Sequence, residues 1–307
     1  VLAPLLGSLF VEYATWRWIF YVNIPICVLS LLMLLPYKEV YEPKRAAIDY
    51  VGAALFATAI SLLLLVTVVE QGQWWYGAAG VLLLVIFYYF EKRQPSPLVP
   101  LSLVHHRTLK WMNINGFVSC VALFGTSSYI PLFLQNVAHL SVFMSGVALL
   151  GSSVGWMIAA VPAGKWILRY GYRSLLIIGN VLLVASGLFL ALLNESHGFW
   201  YVFFIMFLQG LSFGLTSTVG VIGSQQLADA HEKGIATSFF MFCRNIGTAI
   251  GVTVMGAFLA QASTFMAGIR HLFLFGLIGS IIAMITSLFI RDETEADRNN
   301  QQSEGMA

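Results

Sequence analysis

Nine apolar runs, each about 17 to 25 residues long and broken only by short polar stretches, follow one another along this chain. They fall at 18–36, 48–69, 75–91, 112–134, 144–164, 174–193, 199–223, 235–260 and 271–290, preceded by the end of a helix at 1–12. At 1.5 Å per residue a helical run of that length crosses a hydrocarbon core of about 30 Å. Composition agrees: 59% of residues are apolar and 10% charged, where soluble domains run near a quarter charged. Mean hydropathy is +0.82. The fold class expected is an all-α polytopic membrane protein with about nine full transmembrane helices plus the end of a tenth. Cys27, Cys120 and Cys243 all lie inside apolar runs and show no paired or metal-type spacing, which makes them small buried hydrophobes.

Lysines and arginines give the expected topology. If the turn Trp16-Arg17-Trp18 is outside, that side holds Arg17 and Arg270. The opposite side holds Lys38, Lys44, Arg45, Lys92, Arg93, Arg107, Lys110, Lys165, Arg169, Arg173, Lys233, Arg291 and Arg298. The split is 13 against 2, with Arg244 left inside a span, and the positive-inside rule makes the 13-residue side cytoplasmic. The tail 291–307 is then cytoplasmic, in a multi-pass protein of the cell membrane. Position 1 is Val and falls within an apolar run, so further helices are expected upstream.

The segment Leu5 to Pro25 reads as a membrane hairpin: the tail of one apolar helix, a turn rich in Trp and Arg, and the start of the next. Amphipathic rings and a snorkelling guanidinium sit well at headgroup depth. The stretch Trp16-Arg17-Trp18-Ile19-Phe20-Tyr21-Val22-Asn23-Ile24-Pro25 resembles the junction between the fifth and sixth helices of the 14-helix drug:proton antiporters (EmrB/QacA type) of the major facilitator superfamily. Ala3 to Ser8, with Pro4 and Gly7, resembles the end of that family's Gly-Pro-rich antiporter motif, with Ala and Ser where Gly is usual. Pro162 to Arg173, with Gly164, Arg169, Gly171 and Arg173, resembles the superfamily's cytoplasmic loop motif, with Leu168 where an Asp is usual. The resemblance implies a division into 1–36, the end of the N-terminal bundle; 37–91, an extra helix pair with its lead-in; 92–111, a cytoplasmic loop; 112–290, the C-terminal six-helix bundle; and 291–307, a cytoplasmic tail. It also implies that the missing N-terminal helices of the same protein carry a membrane-embedded acid for proton coupling.

Polar residues inside spans are the functional candidates, because lipid offers hydroxyls and amides no partners. Stepping 100° per residue, Asn115, Ser119, Ala122, Thr126, Tyr129 and Phe133 fall within about 40° of one line. A comparable stripe on 199–223 runs through Ile205, Gln209, Ser212, Phe213, Thr216 and Gly220. Each stripe suits either the wall of a partly wet cavity or interhelical hydrogen bonding. The resemblance implies the former, since the seventh and tenth core helices line the central cavity in the family. Arg244 lies about ten residues into its span, near mid-bilayer, where a cation costs about 2.5–3.5 kcal/mol and needs an interior partner. With Asn245 it begins a stretch resembling the family's Arg-x-x-Gly-x-x-x-Gly helix, and it serves either as a charge on the transport pathway or as a structural tie. Gly151, Gly155, Ala159 and Ala163, then Gly210 and Gly214, then Gly247 and Gly251, mark close helix seams.

No nucleotide-cradling loop, His-Glu-x-x-His helix or loop nucleophile beside a base occurs in the sequence. His105 and His106 read as a solvated pair in a basic loop. The expected activity is secondary transport without a cofactor: export of hydrophobic or amphipathic compounds in exchange for protons, driven by the proton gradient. The expected partners are the lipid bilayer, small amphipathic substrates and, in a Gram-negative cell, a periplasmic adaptor, with no nucleic acid. Alternatives are a major-facilitator importer or exporter of one metabolite and a membrane-embedded enzyme.

Overall fold

The computed structural model describes residues 3–36, 49–66, 69, 73–94, 106–229 and 232–291. Eleven helices and no strand occur among the described residues: α1 (Ala3–Tyr13), α2 (Trp18–Tyr21), α3 (Asn23–Leu34), α4 (Tyr50–Leu65), α5 (Gln73–Glu91), α6 (Arg107–Ser127), α7 (Ile130–Asn136), α8 (Val142–Ala191), α9 (Phe199–Leu227), α10 (Lys233–Ala260) and α11 (Phe265–Leu288). Every expected span overlaps helix among the described residues. Six helical stretches are long and apolar enough to cross a membrane, and two shorter apolar ones cover Trp18–Leu34 and Tyr50–Leu65. Most of the expected loop 92–111, the lead-in before Asp49, Glu70 and the tail beyond Arg291 lie outside the described residues.

Two departures change how the spans are divided, each for a local reason. The span expected at 112–134 breaks after Ser127 and resumes at Ile130. Pro131, in the first turn of α7, lacks the N–H a continuous helix would use and would clash with the preceding turn. The loop expected around 165–173 is helix except at one residue: α8 runs 50 residues and joins two spans across Gly171, at φ 76° and ψ 173°. That region of backbone space is open to glycine alone, so one residue makes the turn.

The chain divides into two compact units: Val1–Val99, Ser127–Ser153 and Asn194–Met206 form the first, and Pro100–Thr126, Val154–Leu193 and Phe207–Ala307 the second. In the first, α4 and α5 pair as a hairpin. Gly80 lies against Leu63 and the Ala59 carbonyl, and the Phe56 and Phe87 rings sit 5.2 Å apart. Asp49 caps α4 by accepting the Gly52 N–H at 2.8 Å. A groove of about 810 Å³ along this pair is walled by Leu63, Val66, Trp74, Val81 and Val85, with no charged group among its lining residues. The α1 helix packs on the start of α8: Ser8 faces Gly146, the Tyr13 and Phe143 rings are 6.1 Å apart, and the Phe143 N–H donates to the Glu12 carboxylate.

In the second unit α6 is the central helix. Gly247 and Gly251 of α10 pack directly on the Phe117 and Val121 carbonyls of α6, while Gly276 and Gly279 of α11 pack on Thr126 and Ala122. Phe240, 1% exposed, wedges between Gly116 of α6 and Gly220 of α9. Gly155 and Gly214 bring α8 and α9 to backbone contact. Close approach over small residues lets dispersion hold helices together where lipid gives no hydrophobic drive. The outer faces stay apolar and uncovered, Leu168 at 82% and Val161 at 76% exposed, a surface that suits acyl chains and not water.

Candidate functional site

Arg244 occupies the middle of α10 and is 9% exposed. Its partners come from three helices. Nε donates to Cys120 Sγ of α6 at 3.4 Å, Nη1 donates to Ser217 Oγ of α9 at 2.9 Å, and Met241 Sδ of its own helix lies 3.6 Å from Nη1. The guanidinium carbon stands 4.8 Å from the Phe213 ring centre and 5.7 Å from that of Phe240. All of these groups are neutral, and among the described residues no carboxylate pairs with this cation. Ring faces and soft sulfur acceptors offset part of the desolvation cost, yet the positive charge itself stays uncompensated.

The polar stripe of α6 is buried within the second unit. Asn115, 1% exposed, donates through Nδ2 to the Ala283 carbonyl at 2.7 Å and to Thr286 Oγ1 at 3.0 Å, both on α11. Ser119 Oγ donates to Asn180 Oδ1 at 3.1 Å, and Asn180 Nδ2 donates to the Leu176 carbonyl at 2.9 Å and reaches Asn115 Oδ1 at 3.4 Å. Thr126 donates to the Ala122 carbonyl at 2.8 Å and accepts from Gln209 Nε2 at 3.0 Å. These residues are thus engaged with neighbouring helices, the interhelical alternative for such a stripe. Tyr129 is half-buried and falls in the first unit.

On α9 the stripe is less completely satisfied. Gln209 Oε1 and Ser212 Oγ are buried without a hydrogen-bond partner, and Thr216 Oγ1 donates to the Ser212 carbonyl at 2.9 Å. Phe213 meets Phe124 edge to face at 5.2 Å, and Trp156 at 6.5 Å. Arg244, Ser217, Phe213, Ser212 and Gln209 therefore follow one another along two turns of α9 and the facing stretch of α10. A separate cavity of about 260 Å³ lies between α6 and α10, lined by Lys110, Asn113, Ile114, Phe117, Phe239 and Cys243. It falls below the roughly 300–1,000 Å³ of drug-sized sites.

The remaining candidates lie apart from this cluster. Asn245 points outward and is exposed. Pro4 and Gly7 sit on α1, where a side chain at Gly7 would meet nothing. Gly164 faces Ile222 loosely, Arg169 stacks on Tyr170 at 5.4 Å, and Arg173 is exposed just past the Gly171 break. The Tyr172 hydroxyl donates to Gln226 Oε1 and ties that break to α9. Four residues of the network escape a reading of the sequence: Cys120, Asn180, Ser217 and Thr286. Asn180 carried a signal, an amide alone in an apolar span, whereas Ser217 and Thr286 are ordinary hydroxyls until their partners are known.

A bundle of membrane-length apolar helices with a polar network sealed inside one unit defines a polytopic membrane protein. The family model of the Major Facilitator Superfamily matches residues 1–159 and 112–306. The chain belongs to that superfamily. It is 23% identical over 273 residues to the multidrug transporter protein MdtP of Bacillus subtilis, covering 86% of this chain and 50% of that protein. To the multidrug efflux pump SdrM of Staphylococcus aureus it is 26% identical over 269 residues, covering 86% of this chain and 60% of that protein. The chain thus spans about half of the one relative and three fifths of the other. Among solved structures the nucleoside transporter NupG matches at a TM-score of 0.54 with 13% identity, over 78% of this chain and 64% of that one, a likeness of fold.

Proposed function

We propose that this chain belongs to a secondary active transporter of the 14-helix type that exports hydrophobic or amphipathic compounds in exchange for protons. In this reading the chain supplies the second helical bundle, the extra pair α4 and α5, and the end of the first bundle. The observation that carries it is the Arg244 cluster: a buried cation with only neutral partners, on the same helix-helix seam of α9 whose preceding turns carry the unpartnered Ser212 Oγ and Gln209 Oε1. Buried polar groups left unsatisfied are costly, and they persist where a ligand or a moving helix satisfies them in another state. The multidrug names of two relatives favour an amphipathic substrate. Coverage of 50% and 60% of those proteins favours a longer transporter, whose further helices would close the cavity and hold the coupling acid. The tail is assigned to the cytoplasm from the basic asymmetry.

Substrate-dependent proton movement in everted vesicles containing the full-length transporter tests this reading. The parent should exchange protons on addition of an amphiphile. Arg244→Ala should insert and accumulate normally yet exchange little, with Arg244→Lys restoring part, because Lys keeps the charge and loses the planar fork. A degraded Ala variant would make the Arg structural, and one that exchanges at the parental rate would remove it from the pathway. A cysteine at exposed Ser196 that reacts only in permeabilised cells would invert the topology.

A further inference from the structure

The partners of Arg244 also say what kind of substrate it would meet. A guanidinium has five N–H donors in a rigid fork. Here Nε is directed at a thiol and Nη1 at a serine hydroxyl and a thioether, and Nη2 donates to no group among the described residues. Nη2 is not among the buried atoms lacking a partner, so it reaches accessible space. The guanidinium carbon stands over the Phe213 and Phe240 rings, 4.8 and 5.7 Å from their centres, which leaves Nη2 as the donor open to a ligand. Cys120, Met241 and the two rings make the rest of the guanidinium's surroundings largely apolar.

We propose that Arg244 is an anion subsite and a specificity-determining residue, and that the preferred substrates are anionic amphiphiles: a carboxylate or sulfonate joined to an apolar body. The inference rests on the transport reading above and narrows it. A carboxylate at the Nη2 edge supplies the missing counter-charge in a site of low dielectric, where a charge-assisted hydrogen bond is at its strongest. The apolar body lies against Phe213 and Phe240. A cationic amphiphile at the same place would bring two positive charges together without a carboxylate between them, which selects against it.

Three probes separate the possibilities on the full-length transporter in nanodiscs: cis-parinaric acid, its methyl ester, and the permanent cation ethidium. Binding is read by energy transfer from tryptophan to the polyene, for which Trp156, 6.5 Å from Phe213, is a built-in donor, and for ethidium by its own fluorescence. The acid should bind about tenfold or more tighter than the ester, the fold-change one charge-assisted hydrogen bond supplies. In Arg244→Gln the acid should fall to the affinity of the ester while the ester is unchanged, and Arg244→Lys should keep part of the preference. Should the Gln variant fail to fold, the acid-to-ester ratio in the parent still decides. Equal affinities, or tighter ethidium, overturn the anion subsite and leave amphiphile transport standing. A preference seen in gluconate buffer and abolished by chloride assigns the site to a small inorganic anion and overturns the amphiphile. Failure of all three probes to bind overturns both readings.

Discussion

Replacing Gly247 with alanine tests whether the second unit is held by backbone contact between α6 and α10. A Cβ there would land on the Phe117 carbonyl oxygen, 3.0 Å from its carbon and 3.2 Å from its Cα. Carbon atoms sit comfortably at about 3.5–4.0 Å, so the helices must separate by about 0.5–1 Å, which forfeits a quarter to a half of each contact along the seam. Overpacking of this kind costs about 1–3 kcal/mol, and better helix propensity returns up to about 1. The net expectation is a loss of about 1–2 kcal/mol. Gly234 is the matched control, because it begins the same helix and a Cβ there meets nothing within 4 Å. The assay is thermal unfolding in detergent followed by size-exclusion chromatography of the surviving fraction. Gly247→Ala should melt several degrees lower, at about 2–4 °C per kcal/mol, and Gly234→Ala at or above the parent. Gly251 abuts the Val121 carbonyl one turn further on, so the double variant should lose less than the two singles added, since the first already parts the helices. A Gly247→Ala protein that melts with the parent would refute the seam.

Two further substitutions probe single features. Gly171→Ala puts a side chain where φ is 76° and ψ 173°, and should cost about 1–3 kcal/mol in the same melting assay; an unchanged midpoint would mean the turn is made elsewhere. Glu12→Gln removes the negative charge from the N-terminus of α8, an effect of about 0.3–1 kcal/mol, and should speed amide exchange at Phe143 and Met144, whereas unchanged exchange would show that the carboxylate does not cap that helix.

The helices were legible because span length is set by the bilayer and needs no knowledge of packing. Each expected run overlaps helix among the described residues, and the departures at Pro131 and Gly171 both fell on residues whose backbone restrictions act over a single turn. The small-residue seams were legible for the same reason: Gly247 and Gly251, four apart, can only lie on one face. Partners were not legible. The stripe from Asn115 to Thr126 is a true stripe, but periodicity gives its direction on the helix and not what stands opposite, and α6 proves to be surrounded by its own bundle. Glu12 is exposed, yet its carboxylate accepts the N–H of Phe143, 131 residues away, where α8 begins. Asn180 supplies half of a network whose other half, Asn115 and Ser119, is 61 to 65 residues away in sequence.

The polar interior of the second unit therefore has two tiers made of the same residue types. In the first, Asn115, Ser119, Asn180 and Thr286 satisfy one another across α6, α8 and α11. In the second, Gln209 Oε1 and Ser212 Oγ on α9 remain without partners among the described residues, one to two turns before Ser217, which Arg244 meets. The tiers should respond oppositely to removal of a polar group. Asn180→Leu deletes two interhelical hydrogen bonds, worth about 0.6 kcal/mol each in a membrane bundle, and strands Ser119 and Asn115, so the melting point should fall. Ser212→Ala removes a buried hydroxyl that nothing among the described residues satisfies, so stability should hold or rise while the proton exchange proposed above changes. If Ser212→Ala instead lowers the melting point as Asn180→Leu does, the hydroxyl is a packing element, and the division between a structural tier and a ligand-facing tier collapses.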